Sequence, residues 1–490
     1  MISHSSKNIF TSGKFVLRAF RSIIFFSALM ILASNTGFSQ WVFPLRISAD
    51  KRYLQDQHGK PFPILGRTAW CIISQSVSGQ HAFIEHTKSF GYNAIEMSAI
   101  CHWRLGNNNP FSGKGNLPFL KKLDGTDWKD SLDYKAGNHS PDFSTPNEAY
   151  WKYLDDFISY CEKNKILIFF FPGYVGYHNG DQGWIEELVA NGPEKVGAYG
   201  AWVAKRYKNN KNLVWMLLGD DGKFPPEKKQ VEAALIAGLK SVPDQQSIYY
   251  SAESTSGENS AENEYFGKEM SLNGVYNWER NIPAQARRAY SREPVVPAYL
   301  LEEPYDEEGP DGNNYNPHAI QPVRRFQWWA WLSAIGGYVA GNGYIWPFID
   351  PFWKQHLNSP GAKDMRILNG FIRSIGWWEL VPSGLNGMKN LVISGNGADT
   401  SENYVAAACT RDGNLLVAYI PPAHSGSIKI DLTALSGNST AAWFDPTNGE
   451  YKRIESGIIS GKSNNEFITP GANSAGQKDW VLVIMESGGR

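Results

Sequence analysis

The strongest constraint on this 490-residue chain is a repeated alternation of short apolar runs and segments with helical spacing. Each apolar run is followed by a polar loop and then by a helical pattern, which is typical of parallel strands connected by helices. Eight runs qualify as strands: Ile64–Trp70, Ala94–Ile100, Ile166–Phe171, Leu213–Leu218, Ser247–Ser251, Leu272–Tyr276, Val295–Leu301 and Gly336–Ile345. The helical patterns cover His81–Phe90, Asn147–Asn164, Glu194–Tyr207, Glu227–Lys240, Pro283–Tyr290 and Val323–Ala334. Eight strands with intervening helices predict an α/β fold, a (β/α)8 TIM barrel, with a doubly wound sheet as the alternative.

The segments on either side of this repeat follow other patterns. Trp41 to Phe62 alternates and turns at residues 58–61, which predicts a β-hairpin before the barrel. After Val381 the helical spacing ends and short strands alternate with Gly, Asn, Ser and Pro turns, which predicts a small antiparallel β-sandwich. The expected domains are a barrel with its hairpin at 40–380 and a sandwich at 381–490.

The first 39 residues have the pattern of a signal peptide. A basic stretch from Lys7 to Arg21 precedes the apolar run Ile23–Ala33, which is too short to span a bilayer. Cleavage after Ser39 would leave a mature protein that begins at Gln40, exported to the periplasm or the cell exterior and without a membrane span. An uncleaved anchor is the alternative.

Composition excludes several classes of function. The 47 Lys+Arg and 48 Asp+Glu residues give a net charge of -1, which argues against nucleic acid as a partner. The sequence contains no HExxH, GxSxG, P-loop or GxGxxG motif in a suitable context, so no metal or cofactor is expected. The four cysteines are too scattered for a disulfide framework or a zinc site, although Cys71 and Cys101 could pair if their strands are neighbours. Oligomeric state is left open.

Acidic residues follow two of the predicted strands. Asp220 and Asp221 come after the fourth strand, and Glu302 and Glu303 come after the seventh. Carboxylates at these strand ends would face each other across the barrel mouth, and such a pair can hydrolyse a glycosidic bond. Gly219 and Pro304 favour rigid placement of Asp220 and Glu303, so we assign Asp221 and Glu302 to the ordinary class of loop or helix-cap carboxylates.

Aromatic residues and histidines lie near the same strand ends. Sugar rings pack their C–H faces on aromatic side chains, and His side chains can hydrogen-bond hydroxyl groups, although each residue of this kind can also be structural. The expected substrate-binding residues are Trp70, His102, Tyr174, His178, Tyr276, Tyr305 and Trp346.

Motifs along nearly the whole chain resemble the apiosidase-like catalytic domain of glycoside hydrolase family 140 followed by a β-sandwich that some families label collagen-binding. The motifs are Tyr53–Phe62, Leu65–Trp70, Thr145–Tyr150, Asn212–Trp215 with Gly219-Asp220, Glu303–Tyr305, Arg324-Arg325, Trp328–Gly337, Gly343–Trp346, Tyr404–Ala407, Leu416–Tyr419, Trp443–Gly449 and Asp479–Val483.

The resemblance implies a barrel plus sandwich and retaining hydrolysis, with Asp220 as the acid/base and Glu303 as the nucleophile. It also implies a complex plant polysaccharide such as pectin as substrate. Arg67 departs from the family motif, in which that position is Asp. A fixed cation favours carboxylate or sulfate, so Arg67 is a candidate contact to an anionic plant or algal sugar, or else pairs with a barrel carboxylate. A non-catalytic carbohydrate-binding or surface-scaffold protein is the alternative function.

Overall fold

The computed structural model describes residues 41–103, 110–129, 139–177, 180, 182–221, 225–277, 279, 281–302, 304–307, 323–348, 350–454 and 464–486. The predicted signal peptide, His178 and Glu303 therefore lie outside the described residues. Among the described residues, no helix is both long and apolar enough to cross a membrane.

The N-terminal segment forms the predicted β-hairpin, and a third strand extends it to a small antiparallel sheet. Its strands are β1 (Arg46–Ile47), β2 (Leu54–Gln55) and β3 (Pro61–Phe62), paired in that order. The turn between β2 and β3 is closed by Asp56, whose Oδ1 accepts hydrogen bonds from the amides of His58 (2.8 Å) and Lys60 (2.9 Å). A short polar side chain that binds its own following backbone stabilises such a turn.

Eight parallel strands then form the barrel. They are β4 (Ile64–Thr68), β5 (Ala94–Ser98), β6 (Leu167–Phe171), β7 (Leu213–Leu218), β8 (Tyr250–Glu253), β9 (Asn273–Val275), β10 (Ala298–Leu300) and β12 (Ile335–Asn342), and the short β11 (Tyr305–Asp306) pairs with the end of β12. The last strand pairs with the first through Gly337 and Ile64, and the amide of Leu272 donates to Tyr250 O (3.1 Å) between β8 and β9. The sheet is thus a nearly closed barrel and not a doubly wound sheet.

Helices cover the outside of the barrel. They are α1 (Val77–Ser89), α2 (Glu148–Lys163), α3 (Ile185–Tyr207), α4 (Pro226–Lys240), α5 (Ile282–Ser291), α6 (Arg324–Ala334), α7 (Trp353–His356) and α8 (Pro360–Ser374). Ser76 and Ser359 cap α1 and α8 by accepting from the amides of Gly79 and Ala362. The helix α3 is broken at Gly192, which has φ 75°, and its second part matches the predicted Glu194–Tyr207.

The C-terminal part consists of two antiparallel sheets, as predicted. One contains β13 (Leu380–Pro382), β15 (Ala406–Thr410), β16 (Leu415–Ile420), β21 (Trp480–Glu486), β18 (Ser439–Phe444) and β19 (Tyr451–Arg453) in that spatial order. The other contains β14 (Val392–Ser394), β17 (Ser427–Asp431) and β20 (Asn464–Ile468). An apolar core that includes Leu416 and Ile430 lies between the sheets.

The six-stranded sheet is buried on both faces, because its second face packs on the barrel helices. Trp328 of α6 stacks on Tyr419 of β16 with ring centroids 5.8 Å apart. At the same junction the buried Arg324 guanidinium binds two carboxylates, Asp364 of α8 (2.9 Å) and Asp479, which precedes β21 (2.6 Å). The hydroxyl of Tyr419 also donates to Asp479 (3.0 Å). The sandwich therefore has a packing role against the barrel.

Candidate active site

The carboxyl ends of the barrel strands bring together one group of acidic side chains. Glu302 follows β10, Asp220 follows β7, and Glu253 is the last residue of β8. Burial raises the pKa of Glu302 well above its usual value, and the neighbouring Glu253 and Asp220 raise it further. These three residues, together with Glu96 of β5, form what we call the carboxylate cluster.

Glu302 is held by two donors and a rigid backbone. Its Oε1 accepts a hydrogen bond from the indole Nε1 of Trp70 (2.8 Å) and another from the hydroxyl of Tyr305. Trp70 Nε1 also lies 2.9 Å from the Tyr305 hydroxyl, so the three side chains form a closed set. Glu302 has φ 68°, a left-handed conformation that a non-glycine residue adopts only when its surroundings fix it. The carboxylate position is therefore well defined.

Asp220 lies where β7 turns into the mouth. Gly219 precedes it, and a Cβ there would come within 2.8 Å of Gly176 N and of the Tyr174 ring, so only glycine fits. The Asp220 amide donates to the Tyr174 side chain. Burial raises the pKa of Tyr174, and the nearby carboxyl groups of Glu253, Asp220 and Glu302 raise it further. Tyr174 packs in turn on Trp70, with ring centroids 5.0 Å apart. Tyr174 thus links Asp220 to the Trp70–Glu302 pair.

Glu96 and Glu253 were not predicted from the sequence. Glu96 is fully buried, and neither of its oxygens has a hydrogen-bond partner among the described residues. Burial and the nearby Glu302 raise its pKa well above the usual value, which favours the neutral form of this carboxyl group. A single charged residue inside an otherwise apolar run, as in Ala94–Ser98, is the signal that could have identified it.

The structure brings some predicted residues into this cluster and places others elsewhere. Trp70, Tyr174, Tyr305 and Asp220 meet there, and their catalytic and substrate-binding roles stay predictions. Glu302, assigned from the sequence to a loop or cap role, is instead buried at 6 % exposure with its carboxylate inside the site. That assignment was wrong, because the left-handed turn at Glu302 directs the side chain inward.

Other predicted substrate-binding residues contact the protein itself. His102 Nε2 lies 3.2 Å from Glu187, and the His102 ring packs edge-on against Trp184. Tyr276 is buried, and its carbonyl accepts from Gln285 (3.3 Å). Trp346 is partly buried against the barrel core. The roles of these three residues at the substrate stay predictions.

Arg67 lies on the outer side of β4, away from the cluster. Its guanidinium stacks over Phe83 and Tyr92 (4.9 and 5.3 Å to the ring centroids) and contacts His86 of α1 at 3.3 Å. Burial lowers its pKa, while Asp306 attracts its charge. These contacts are those of a buried arginine that packs within the protein, and its pairing with a barrel carboxylate stays a prediction. The contact to an anionic sugar stays a prediction.

The two cysteines that could pair are neighbours but do not form a disulfide. Cys71 and Cys101 are buried side by side as thiols, and the Cys101 thiol donates to Trp70 O (3.2 Å). Within the described ranges, no group of three or more His, Cys, Asp or Glu side chains is arranged to hold a metal ion. The chemistry that this arrangement offers is that of carboxyl groups with hydrogen-bonding and aromatic neighbours.

Comparisons with known proteins place this geometry in a family. Residues 48–379 match the family model "Apiosidase-like, catalytic domain", and residues 389–485 match "Putative collagen-binding domain of a collagenase". No curated protein matches the sequence.

Two solved structures have the same fold over nearly the whole chain. One is described as "Glycoside hydrolase" (19 % identity, TM-score 0.72, 92 % of this chain and 100 % of that one). The other is a glycoside hydrolase family 5 protein from Bacteroides vulgatus ATCC 8482 (20 % identity, TM-score 0.71, 92 % and 96 %). The family model covers most of the chain, including the whole carboxylate cluster, so this protein belongs to the apiosidase-like catalytic domain family and is a glycoside hydrolase.

Proposed function

We propose that the protein is a retaining glycoside hydrolase that cleaves a complex plant or algal polysaccharide such as pectin. The observation that carries this proposal is the convergence of Asp220 from the end of β7 and Glu302 from the end of β10 on one cluster of carboxyl groups, in which Trp70 and Tyr305 hold Glu302 and both Glu253 and Asp220 raise its pKa. Two carboxyl groups with different surroundings can divide the roles of acid and nucleophile. Trp70 and Tyr174 offer aromatic surface for a sugar ring.

In this mechanism Asp220 is the general acid/base. It protonates the oxygen of the leaving sugar while the nucleophilic carboxylate attacks the anomeric carbon, which forms a glycosyl-enzyme ester. Asp220 then takes a proton from water, the water oxygen attacks the anomeric carbon, and the ester bond breaks to free the carboxylate. Trp70 and Tyr305 donate hydrogen bonds that favour the ionised form of the nucleophile.

We place the nucleophile at Glu302, one residue before the predicted Glu303. The Glu302 carboxylate is fixed by two donors and lies in the same acidic cluster as Glu253 and Asp220, which is what a nucleophile needs for a defined approach to the anomeric carbon. The resemblance to the family favours Glu303. The two assignments predict different variants to be inactive.

The test is product release by residues 40–490 from a panel of pectic and sulfated algal polysaccharides. Asp220→Asn and Glu302→Gln are each expected to lower kcat by about a thousandfold or more, because each removes a group that acts on the reacting atoms. Glu307→Gln is the matched control. Glu307 lies five residues after Glu302, and its carboxylate binds Asn342 and His356. Retained anomeric configuration of the first product, read by proton NMR, is expected.

Each other outcome has a defined meaning. An inactive Glu303→Gln beside a nearly unchanged Glu302→Gln would move the nucleophile to Glu303. An inverted product would contradict the retaining mechanism. Binding without product across the panel would favour the carbohydrate-binding alternative.

We also propose that residues 1–39 direct export and are removed. The basic stretch followed by a short apolar run supports this. Sequencing of the mature N-terminus should begin at Gln40, and a chain that retains Met1 in the membrane fraction would contradict the proposal.

A further inference from the structure

The strand that leads to Asp220 ends in an unfavourable backbone conformation. Leu218, the last residue of β7, has φ 63°, and Gly219 and Asp220 follow directly. A left-handed conformation costs a leucine free energy, because its Cβ approaches the following carbonyl oxygen. Something in the surroundings must therefore hold Leu218 in place.

The group that holds it comes from outside the barrel. Glu232 on the helix α4 is completely buried, and its Oε1 accepts a hydrogen bond of 2.9 Å from the Leu218 amide. The Leu218 carbonyl accepts from Val175 (3.0 Å), so both backbone polar groups of this residue are fixed. The last peptide of β7 is thus clamped between a helix side chain and the neighbouring loop.

Glu232 has little else to do in the fold. Its second oxygen has no hydrogen-bond partner among the described residues. Burial raises its pKa to about 7, which shows that the carboxyl group is held in apolar surroundings at a cost. An apolar residue of similar size would fill this space without that cost, but it could not accept from Leu218.

We infer that Glu232 is a positioning residue that fixes the left-handed end of β7 and thereby aims Asp220 at the leaving oxygen of the substrate. It acts through Leu218 and Gly219 and does not reach the mouth itself. The inference rests on the proposed role of Asp220 as the general acid. It predicts that loss of Glu232 impairs the proton transfers made by Asp220 and leaves the nucleophilic attack of the first step intact.

Leaving-group dependence separates this role from a merely structural one. The probes are the phenyl and the 2,4-dinitrophenyl glycosides of the sugar that the wild-type protein releases. A dinitrophenolate leaves without protonation, whereas a phenolate benefits from the acid. Asp220→Asn should therefore lower the rate of the first step on the phenyl glycoside far more than on the dinitrophenyl glycoside.

Glu232→Met keeps the volume of the side chain and removes the acceptor. We expect kcat/KM on the phenyl glycoside, which reports the first step, to fall 10- to 100-fold, with kcat/KM on the dinitrophenyl glycoside within about threefold of wild type. Glu232→Gln, whose amide oxygen still accepts, should restore the phenyl rate to within about threefold. Glu227→Gln, at an exposed position on the same helix, is the control.

The outcomes distinguish a failure of the positioning role of Glu232 from a failure of the proposed function. Equal losses on both glycosides, or no loss on either, would overturn the positioning role of Glu232. If Asp220→Asn itself lacks leaving-group dependence, or if the wild-type protein hydrolyses no glycoside, the proposed function fails first. Should Glu232→Met not fold, Glu232→Asp withdraws the carboxyl group from Leu218 by one methylene, and the same selective loss is expected.

Discussion

The indole N–H of Trp70 donates a 2.8 Å hydrogen bond to Oε1 of Glu302, which joins the end of the first barrel strand to the end of the seventh. This bond lowers the pKa of a carboxyl group that burial and two acidic neighbours otherwise raise. Burial and the acidic neighbours thus favour the neutral form of Glu302, whereas the hydrogen bond from Trp70 favours the ionised form.

Trp70→Phe should therefore shift the pH profile of the enzyme. Without the indole donor the pKa of Glu302 rises further, so the acidic limb of kcat/KM moves to higher pH, and activity at neutral pH falls about 10- to 100-fold. Trp41→Phe is the control, because it also removes an indole hydrogen bond, to Pro61 O, far from the site. An acidic limb at the wild-type pH in Trp70→Phe would contradict the role of this bond.

Gly341 supports the site through close packing. A Cβ at this position on β12 would overlap the ring of Tyr305, whose hydroxyl binds Glu302. Gly341→Ala should displace Tyr305 and lower kcat by about 10-fold or more, while far-UV circular dichroism stays that of a folded protein.

Gly370→Ala provides the matched control. Gly370 is exposed within α8, and its Cβ would meet no atom within 4 Å. Alanine there should leave activity unchanged and raise stability by about 0.5–1 kcal/mol, because it favours the helix. Full activity in Gly341→Ala would show that Tyr305 tolerates displacement.

The Arg324 cluster predicts a large effect on stability. Arg324→Met leaves Asp364 and Asp479 buried without their cation, which should lower the free energy of unfolding by about 3–5 kcal/mol. Arg288→Met removes the more exposed pair with Glu262 and should cost no more than about 1 kcal/mol. Thermal unfolding of both variants at one pH compares them, and similar losses would contradict the difference in burial.

Glu232 should make stability depend on pH. Its pKa is about 7 in the folded protein against a usual value of 4.5, so the unfolded chain loses this proton first as pH rises. The burial penalty is absent below about pH 4.5, grows between the two values and is fully present above pH 7. Between pH 5 and pH 8 the wild-type protein should therefore lose about 2–3 kcal/mol relative to Glu232→Gln. Parallel stability curves would contradict this pKa.

The periodicity of the sequence predicted most of the barrel, but not all of its outer layer. The predicted strand Leu213–Leu218 coincides with β7, and the predicted helix Glu227–Lys240 lies one residue inside α4. The helix α8 was missed. It contains Gly361, Asn369 and Gly370, which weaken local helix propensity, and its packing on the barrel compensates for them.

The position of the site was predictable from the sequence only in part. Residues at the carboxyl ends of barrel strands lie at the barrel mouth, and this rule places Asp220, Trp70, Tyr174 and Tyr305 there. Within a strand buried on both faces no polar alternation shows which side chains point inward. Glu96, which faces the other carboxylates, was therefore missed, and the outward position of Arg67 could not be foreseen.

The role of the C-terminal sheet could not be read from its sequence either. Leu415–Ile420 is buried throughout, which suits any strand in a sandwich core. Contacts such as the stacking of Tyr419 on Trp328 and the Arg324–Asp479 ion pair show that the sheet has a second buried face against the barrel.

The pairing of β12 with β4 has a consequence for the biosynthesis of the enzyme. Trp70 and Glu302 are 232 residues apart in sequence, and they meet only when the last barrel strand has closed against the first. Closing so long a loop has an entropic cost that must be met before the contacts form, so we expect these contacts to form late. A nascent chain that stops before β12 therefore has every residue of the carboxylate cluster and yet no geometry for hydrolysis. We therefore expect activity only after the ring of strands is complete.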